Sequence, residues 1–292
     1  MRSGFCAVVG RPNVGKSTLV NQMVGTKVAI TSSRPQTTRN AIRGVVTGED
    51  FQLVLIDTPG LHKPQNELGA RLNKLVQGTL GEVDVVLFVI DATAPIGPGD
   101  RMIAERLIES EADVVVAVNK VDKASKPEVV RQLVEAAEWP FPEVYPVSAL
   151  TGDGVPELLE GLVGRLEEGP AYYPEGMVTD QPESQIVAEI VREKFLDRLR
   201  EELPHSLAVR VEEMTQREDG LIDIDADVIV ERKSQKGIVI GKGGEMLRTA
   251  GTEARKELEV ILGERVNLML QVVVEKDWQR RPQLLDRLGF EK

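Results

Sequence analysis

Apolar residues cluster in short runs over the first half of the chain, at residues 5–9, 53–56, 83–90, 112–118 and 144–147. Runs of Val, Ile and Leu without polar alternation predict strands buried on both faces of a largely parallel sheet. Between most of them, apolar positions recur at helical spacing, over 16–24, 70–79, 100–109 and 127–137. Residues 41–47 and 51–56 flank Gly48-Glu49-Asp50 and read as a hairpin. The prediction for residues 1–168 is an α/β domain whose mostly parallel sheet carries one antiparallel strand.

The pattern then changes. Pro170, Pro174, Gly176 and Pro182 interrupt any period and predict a linker over 169–184. Beyond it, Ile186, Ile190, Val191 and Leu199 set a helix over 183–202. Strands are expected at 206–214 and 221–232, joined by the turn Arg217-Glu218-Asp219-Gly220. Helical residues surround 241–244 and continue to 262, followed by a strand at 266–274 and a short terminal helix over 277–288. This order describes a small α+β domain over 185–292. No run of about 18 apolar residues occurs, so no membrane span is expected, and the first residues lack the layout of a signal peptide.

Composition sharpens this picture in two places. The single cysteine, Cys6, lies in an apolar run and reads as buried filler in a reducing, cytoplasmic setting. The net charge is −11, yet residues 232–256 carry seven Lys and Arg against two Glu. An acidic body with one basic stretch favours a single docking face for a polyanion.

That first domain holds the candidate nucleotide chemistry. Gly10-Arg11-Pro12-Asn13-Val14-Gly15-Lys16-Ser17, followed by Thr18, sits between a strand and a helix, the setting of a P-loop. Its glycines let backbone amides approach phosphates at a helix N-terminus. Lys16 would neutralise the β- and γ-phosphates and Ser17 would take a Mg²⁺ position. Asp57-Thr58-Pro59-Gly60 ends a strand; Asp57 would hold Mg²⁺ through water, and the Gly60 amide would sense the γ-phosphate. The polar stretch 31–40 reads as a first switch loop, with Thr38 the candidate for the second protein Mg²⁺ ligand and Thr37 the alternative. Asn119-Lys120-Val121-Asp122 selects guanine, because Asp122 can accept from the ring N–H and the exocyclic amine together. Asn119 would tie this loop to the P-loop, Lys120 would cover the base, and Ser148-Ala149-Leu150 could offer a backbone amide to the guanine carbonyl.

In the second domain, Gly241-Lys242-Gly243-Gly244 has the Gly-x-x-Gly spacing with which KH domains clamp a nucleic-acid backbone. Ile238, Val239 and Ile240 are the candidate apolar groove floor, with Lys236, Lys242 and Arg248 supplying charge. Aromatic residues are scarce near this loop, so recognition would rest on backbone clamping and base-edge bonds. Trp278 is expected in the core.

Together, Gly-Arg-Pro-Asn-Val-Gly-Lys-Ser, Gln-Thr-Thr-Arg, Asp-Thr-Pro-Gly and Asn-Lys-Val-Asp resemble the Era family of P-loop GTPases, and the second domain resembles its type II KH domain. The resemblance covers essentially the whole chain. It implies a slow GTPase, cycling between GTP and GDP with Mg²⁺, that binds the 3′ region of small-subunit (16S) rRNA and assists 30S subunit assembly. It also implies a monomer in the cytoplasm, with weak peripheral association at the inner face of the cell membrane allowed. Where many GTPases place a water-orienting glutamine after Asp-x-x-Gly, this chain has Leu61. No catalytic group is assigned, and His62 reads as a solvated loop residue. Asn13 matches the position through which related GTPases use K⁺. The alternative reading is a signalling or membrane-surface GTPase whose second domain docks a protein or lipid.

Overall fold

The computed structural model describes residues 1–32, 34, 37–60 and 66–290. They form two compact units, the first built mainly on residues 1–180 and the second on residues 181–290.

In the first unit, six strands pair in the order β2-β3-β1-β4-β5-β6. They are β1 (Arg2–Val9), β2 (Ile42–Thr47), β3 (Phe51–Asp57), β4 (Val85–Asp91), β5 (Val114–Asn119) and β6 (Glu143–Val147). All pair in parallel except β2, which runs antiparallel to β3. Five helices alternate with them: α1 (Lys16–Val24), α2 (Glu67–Leu80), α3 (Pro98–Glu109), α4 (Lys126–Ala136) and α5 (Val155–Val163). Leu19, Val20 and Met23 of α1 share one apolar cluster with Leu158 and Leu162 of α5. Val76 of α2, Ile103 and Leu107 of α3 and Ala136 of α4 share the other. The sheet is thus covered on both faces, as its unbroken apolar strands require. Pro146 sits on the edge strand β6, where its missing N–H leaves no central ladder bond unmade. Cys6 is fully buried, and burial pushes its thiol up to about 12, so it is filler and not a nucleophile.

Much of the expected linker is bonded to this unit. The Val45 amide of edge strand β2 donates to the Val178 carbonyl at 2.9 Å. Gln52 Oε1 accepts from the amides of Tyr172 and Tyr173 at 2.7 and 2.8 Å, and the Tyr172 ring stands edge-on to Phe5 at 4.6 Å. Irregular sequence here marks a strap without its own period, whose polar backbone is satisfied by its neighbours.

In the second unit, α6 (Glu183–Leu196), α7 (Leu203–Ser206), β7 (Ala208–Gln216), β8 (Ile222–Val230), α8 (Lys233–Ile240), α9 (Glu245–Leu262), β9 (Val266–Val274) and α10 (Pro282–Arg287) follow in order. The sheet is β7-β8-β9, antiparallel then parallel. The helix expected to reach residue 202 stops at Leu196; Glu201 takes a left-handed φ of 56°, and Pro204 opens the next turn. Alternation in β8 buries Ile222, Ile224, Ala226 and Val228, while Asp223, Asp225 and Asp227 face away. Lys194 of α6 and Arg198, just beyond its end, pair with Glu257 and Glu253 of α9, so acidic residues on that helix are answered by cations from outside it.

Trp278 is fully buried, stacked on Phe290 at 5.9 Å, and donates its indole N–H to the Ser206 carbonyl at 2.9 Å. Trp278→Ala is expected to destabilise the second unit by about 3–5 kcal/mol. Hydrogen exchange of the full chain in urea reads this directly: protection should fall over residues 181–290 and hold in the first unit. Undiminished protection there would contradict the assigned core role.

Candidate guanine-nucleotide site and KH loop

Parallel pairing of β1 with both β3 and β4 brings the loops after these strands to one edge of the sheet, where ligands of open α/β sheets bind. The P-loop leaves β1 there and enters α1. Gly10 has φ 153° and lies so close to β4 that a Cβ would stand 2.4 Å from the Val89 carbonyl oxygen. Gly15 has φ 98°, and a Cβ there would stand 2.3 Å from Asn119 Nδ2. Both glycines are therefore demanded by conformation and by space. Lys16 is buried at the head of α1 and donates to the carbonyls of Gly10 and Arg11 at 3.1 and 3.0 Å. Burial pushes its ammonium down to about 8, against the opposing pull of Asp57.

Ser17, Thr38 and Asp57 converge. Ser17 Oγ donates to Asp57 Oδ2 at 2.6 Å, Thr38 Oγ1 donates to the same oxygen at 2.9 Å, and the two hydroxyls lie 2.9 Å apart. Of the two neighbouring threonines weighed from sequence, Thr38 is thus the one whose hydroxyl meets the other two candidate ligands. Asp57 is fully buried, and its second oxygen, Oδ1, has no hydrogen-bond partner. Burial raises its pKa, with Lys16, Ser17 and Thr38 opposing. Two hydroxyls beside a buried carboxylate with an orphaned oxygen are a hard-oxygen set that fits Mg²⁺ and its retained waters. Gly60 abuts the P-loop, where a Cβ would stand 2.8 Å from the Pro12 nitrogen.

The base-side residues interlock. Asn119 Nδ2 donates to the Val14 carbonyl at 2.8 Å, and its Oδ1 accepts from the Ala149 amide at 2.9 Å. The expected tie between this loop and the P-loop is therefore present, and the Ala149 amide is engaged by Asn119. Ser148 Oγ donates to Asp122 Oδ1 at 2.7 Å and orients the carboxylate. Leu150 is 67 % exposed and lines, with Ala149, Thr18, Asn21 and Gln22, an open cavity of about 310 Å³. Lys120 has φ 71° and its ammonium bonds the Asn13 carbonyl. Leu61 and His62 lie outside the described residues.

Sequence reading missed two carboxylates in this site. Asp91 accepts from Lys120 Nζ at 2.6 Å, and Asp100 accepts from Arg11 Nε at 2.7 Å. Burial raises the Asp91 pKa, but its bonds to Lys120 and Thr93 outweigh that and hold it below the ordinary value. Neither belongs to a short motif, and only the fold carries each to its cation.

In the second unit, Gly241, Gly243 and Gly244 have φ of 75°, 60° and 78°, and a Cβ at Gly241 would stand 2.7 Å from that of Met246. The turn presents Lys242 to solvent between α8 and α9. Lys236, Ile238 and Arg248 are exposed and Ile240 is half-buried. Val239 does not belong to a groove floor: it is fully buried, because consecutive residues on a helix point about 100° apart.

Gly15→Ala should strain the left-handed turn by about 1–2 kcal/mol and displace the pinned Asn119. The expected result is at least a tenfold loss in GDP affinity by fluorescence titration, with the thermal melting point of the second unit unchanged.

Comparison with known proteins agrees with this geometry. Residues 5–120 match a family described as 50S ribosome-binding GTPase, and residues 202–279 match the KH domain family. The chain is 55 % identical to GTPase Era of Mycobacterium bovis and of Mycobacterium tuberculosis over 295 residues, covering 99 % of this chain and 98 % of each relative. A single-residue variant of Aquifex aeolicus Era bound to GDP·AlF4⁻ superposes with a TM-score of 0.96 at 39 % identity over all of both chains. Era in complex with MgGDPNP and nucleotides 1506–1542 of 16S ribosomal RNA matches equally well, with the same TM-score, identity and coverage. With likenesses that run over essentially its whole length, the chain belongs to the Era family of GTPases.

Proposed function

We propose that this protein is a GTP-hydrolysing switch that holds the 3′ region of small-subunit rRNA through its KH unit and assists assembly of the 30S subunit. The observation that carries the first half is the convergence of Ser17, Thr38 and Asp57 beside Lys16 at the P-loop. The second half is supported by the exposed glycine turn at residues 241–244 and by the rRNA complex of the related Era.

GTP would lie with its phosphates on the amides of the loop from Gly10 to Ser17, its base between Lys120 and Leu150, and its ring N–H and amine on Asp122. Bound Mg²⁺ would supply positive charge at the β- and γ-phosphates, held by Ser17, Thr38 and, through water, Asp57. Because Thr38 belongs to the polar loop that precedes β2, loss of the γ-phosphate removes a contact that orders that loop. Asn13 is exposed with φ 65° at the P-loop tip, which supports a role for it in using K⁺. RNA would thread past Lys236, Ile238, Ile240 and Arg248, its backbone against residues 241–244. No helix among the described residues is long and apolar enough to cross a membrane.

GTP turnover should be faster in K⁺ than in Na⁺ at matched ionic strength; equal rates would remove Asn13 from that role. RNA binding is tested with an oligonucleotide of the 16S rRNA 3′ end and a scrambled control, in the GDP and GTP-analogue states. Gly243→Asp should abolish specific binding and leave intrinsic GTPase activity intact. Open space surrounds Gly243, and aspartate tolerates its φ of 60°, so the change acts through charge against phosphate and not through misfolding. Equal affinity of wild type and variant at matched salt would refute the KH assignment.

A further inference from the structure

The connection from β4 into α3, residues 91–100, lies outside the motifs that read the nucleotide. Both its ends nevertheless carry a carboxylate bonded to a cation of that site. At one end Asp91 Oδ2 accepts from Lys120 Nζ at 2.6 Å, and the same ammonium donates to the Asn13 carbonyl at 2.6 Å. Asp91 is fixed in turn, since its Oδ1 accepts from the amide and the hydroxyl of Thr93 at 2.9 and 2.6 Å. At the other end Asp100 Oδ1 accepts from Arg11 Nε at 2.7 Å and Oδ2 accepts from the Gly97 amide at 2.9 Å. The Asp100 side chain is 1 % exposed. Gly99 runs against the Arg11 stem, where a Cβ would stand 2.7 Å from Arg11 Cδ. The Arg11 carbonyl is one of the two that hold Lys16 Nζ.

We propose that residues 91–100 form a brace that presets the P-loop from both ends, with Asp91 and Asp100 as its positioning residues. Asp91 sets the base wall through Lys120 and, through Asn13, the loop tip. Asp100 sets Arg11 and thereby one of the carbonyls that aim Lys16 at the phosphates. A phosphate cradle works only if its donors are aimed before the ligand arrives, and a loop without ladder bonds of its own needs such outside anchors. Loss of Arg11 leaves the buried Asp100 carboxylate without its cation, and loss of Asp91 leaves the half-buried Lys120 without its anion. The two ends act on different parts of the nucleotide.

This inference rests on the guanine-nucleotide reading above, and its test separates the two. D91N, D100N, R11Q and the double variant R11Q/D100N are made in the full-length protein, and folding is checked by nucleotide-free thermal melting. Guanosine and GDP are each competed against a fluorescent GDP, and kcat and KM are measured for GTP. D91N should weaken guanosine about tenfold and GDP by at least that factor. D100N should weaken GDP about tenfold, lower kcat and leave guanosine within about twofold. The double variant should be no weaker than the worse of its singles, because the two residues act as one pair. Should D100N fail to fold, R11K carries the same expectation, since lysine keeps the charge but lacks the Nε donor. Folded variants with GDP affinity and kcat within twofold of wild type would overturn the brace. So would a D100N loss shared equally by guanosine, or an additive R11Q/D100N cycle. A wild type that bound no GDP would remove the nucleotide reading and the brace with it.

Discussion

Two opposite charges buried at the carboxyl edge of one sheet constrain the whole first unit. Lys16 and Asp57 both lie out of water, and burial pushes each toward its neutral form. Their mutual attraction offsets part of that cost, and the carbonyls of Gly10 and Arg11 and the hydroxyls of Ser17 and Thr38 offset more. One Asp57 oxygen is still without a partner. A nucleotide and its metal would complete this cluster, since phosphate would answer the ammonium and a hydrated cation the carboxylate. The site is thus arranged around an unbalanced interior charge, and its stability is linked to its ligand.

The parallel order of strands makes that cluster possible. Placing β1 between β3 and β4 sends the P-loop, the loop after Asp57 and the connection from Asp91 to one edge. Asn119, at the end of β5, closes the edge by bonding both Val14 and Ala149. The glycines of the P-loop serve close approach, for β-carbons at Gly10 or Gly15 would collide with Val89 or Asn119. In the second unit positive-φ glycines recur. Left-handed glycines at residues 241–244 expose backbone where a chain of phosphates can lie, and the acidic residues Glu253 and Glu257 on the following helix are answered by Arg198 and Lys194.

What the chain itself determined is local. Apolar runs gave the buried strands, helical spacing gave most helices, and three short motifs picked out the candidate phosphate, metal and guanine residues, because those functions need fixed residue types at fixed spacing. The Gly-x-x-Gly turn was legible for the same reason. Helix α5 was not singled out, and the 183–202 helix was drawn too long, since an apolar period that runs on to Leu199 does not mark the helix end at Leu196. What only the tertiary structure decided depends on groups distant in sequence. Thr38 is distinguished from Thr37 by meeting Ser17 and Asp57 across the sheet edge. Val239 left the groove because the helix turns it into the core. The stretch 169–180 became a strap because β2 had edge amides to satisfy. Asp91 and Asp100 joined the nucleotide site because strand order carries them to Lys120 and Arg11. A motif records residues that must be neighbours along the chain; a partner supplied from another strand leaves no such pattern, and only packing reveals it.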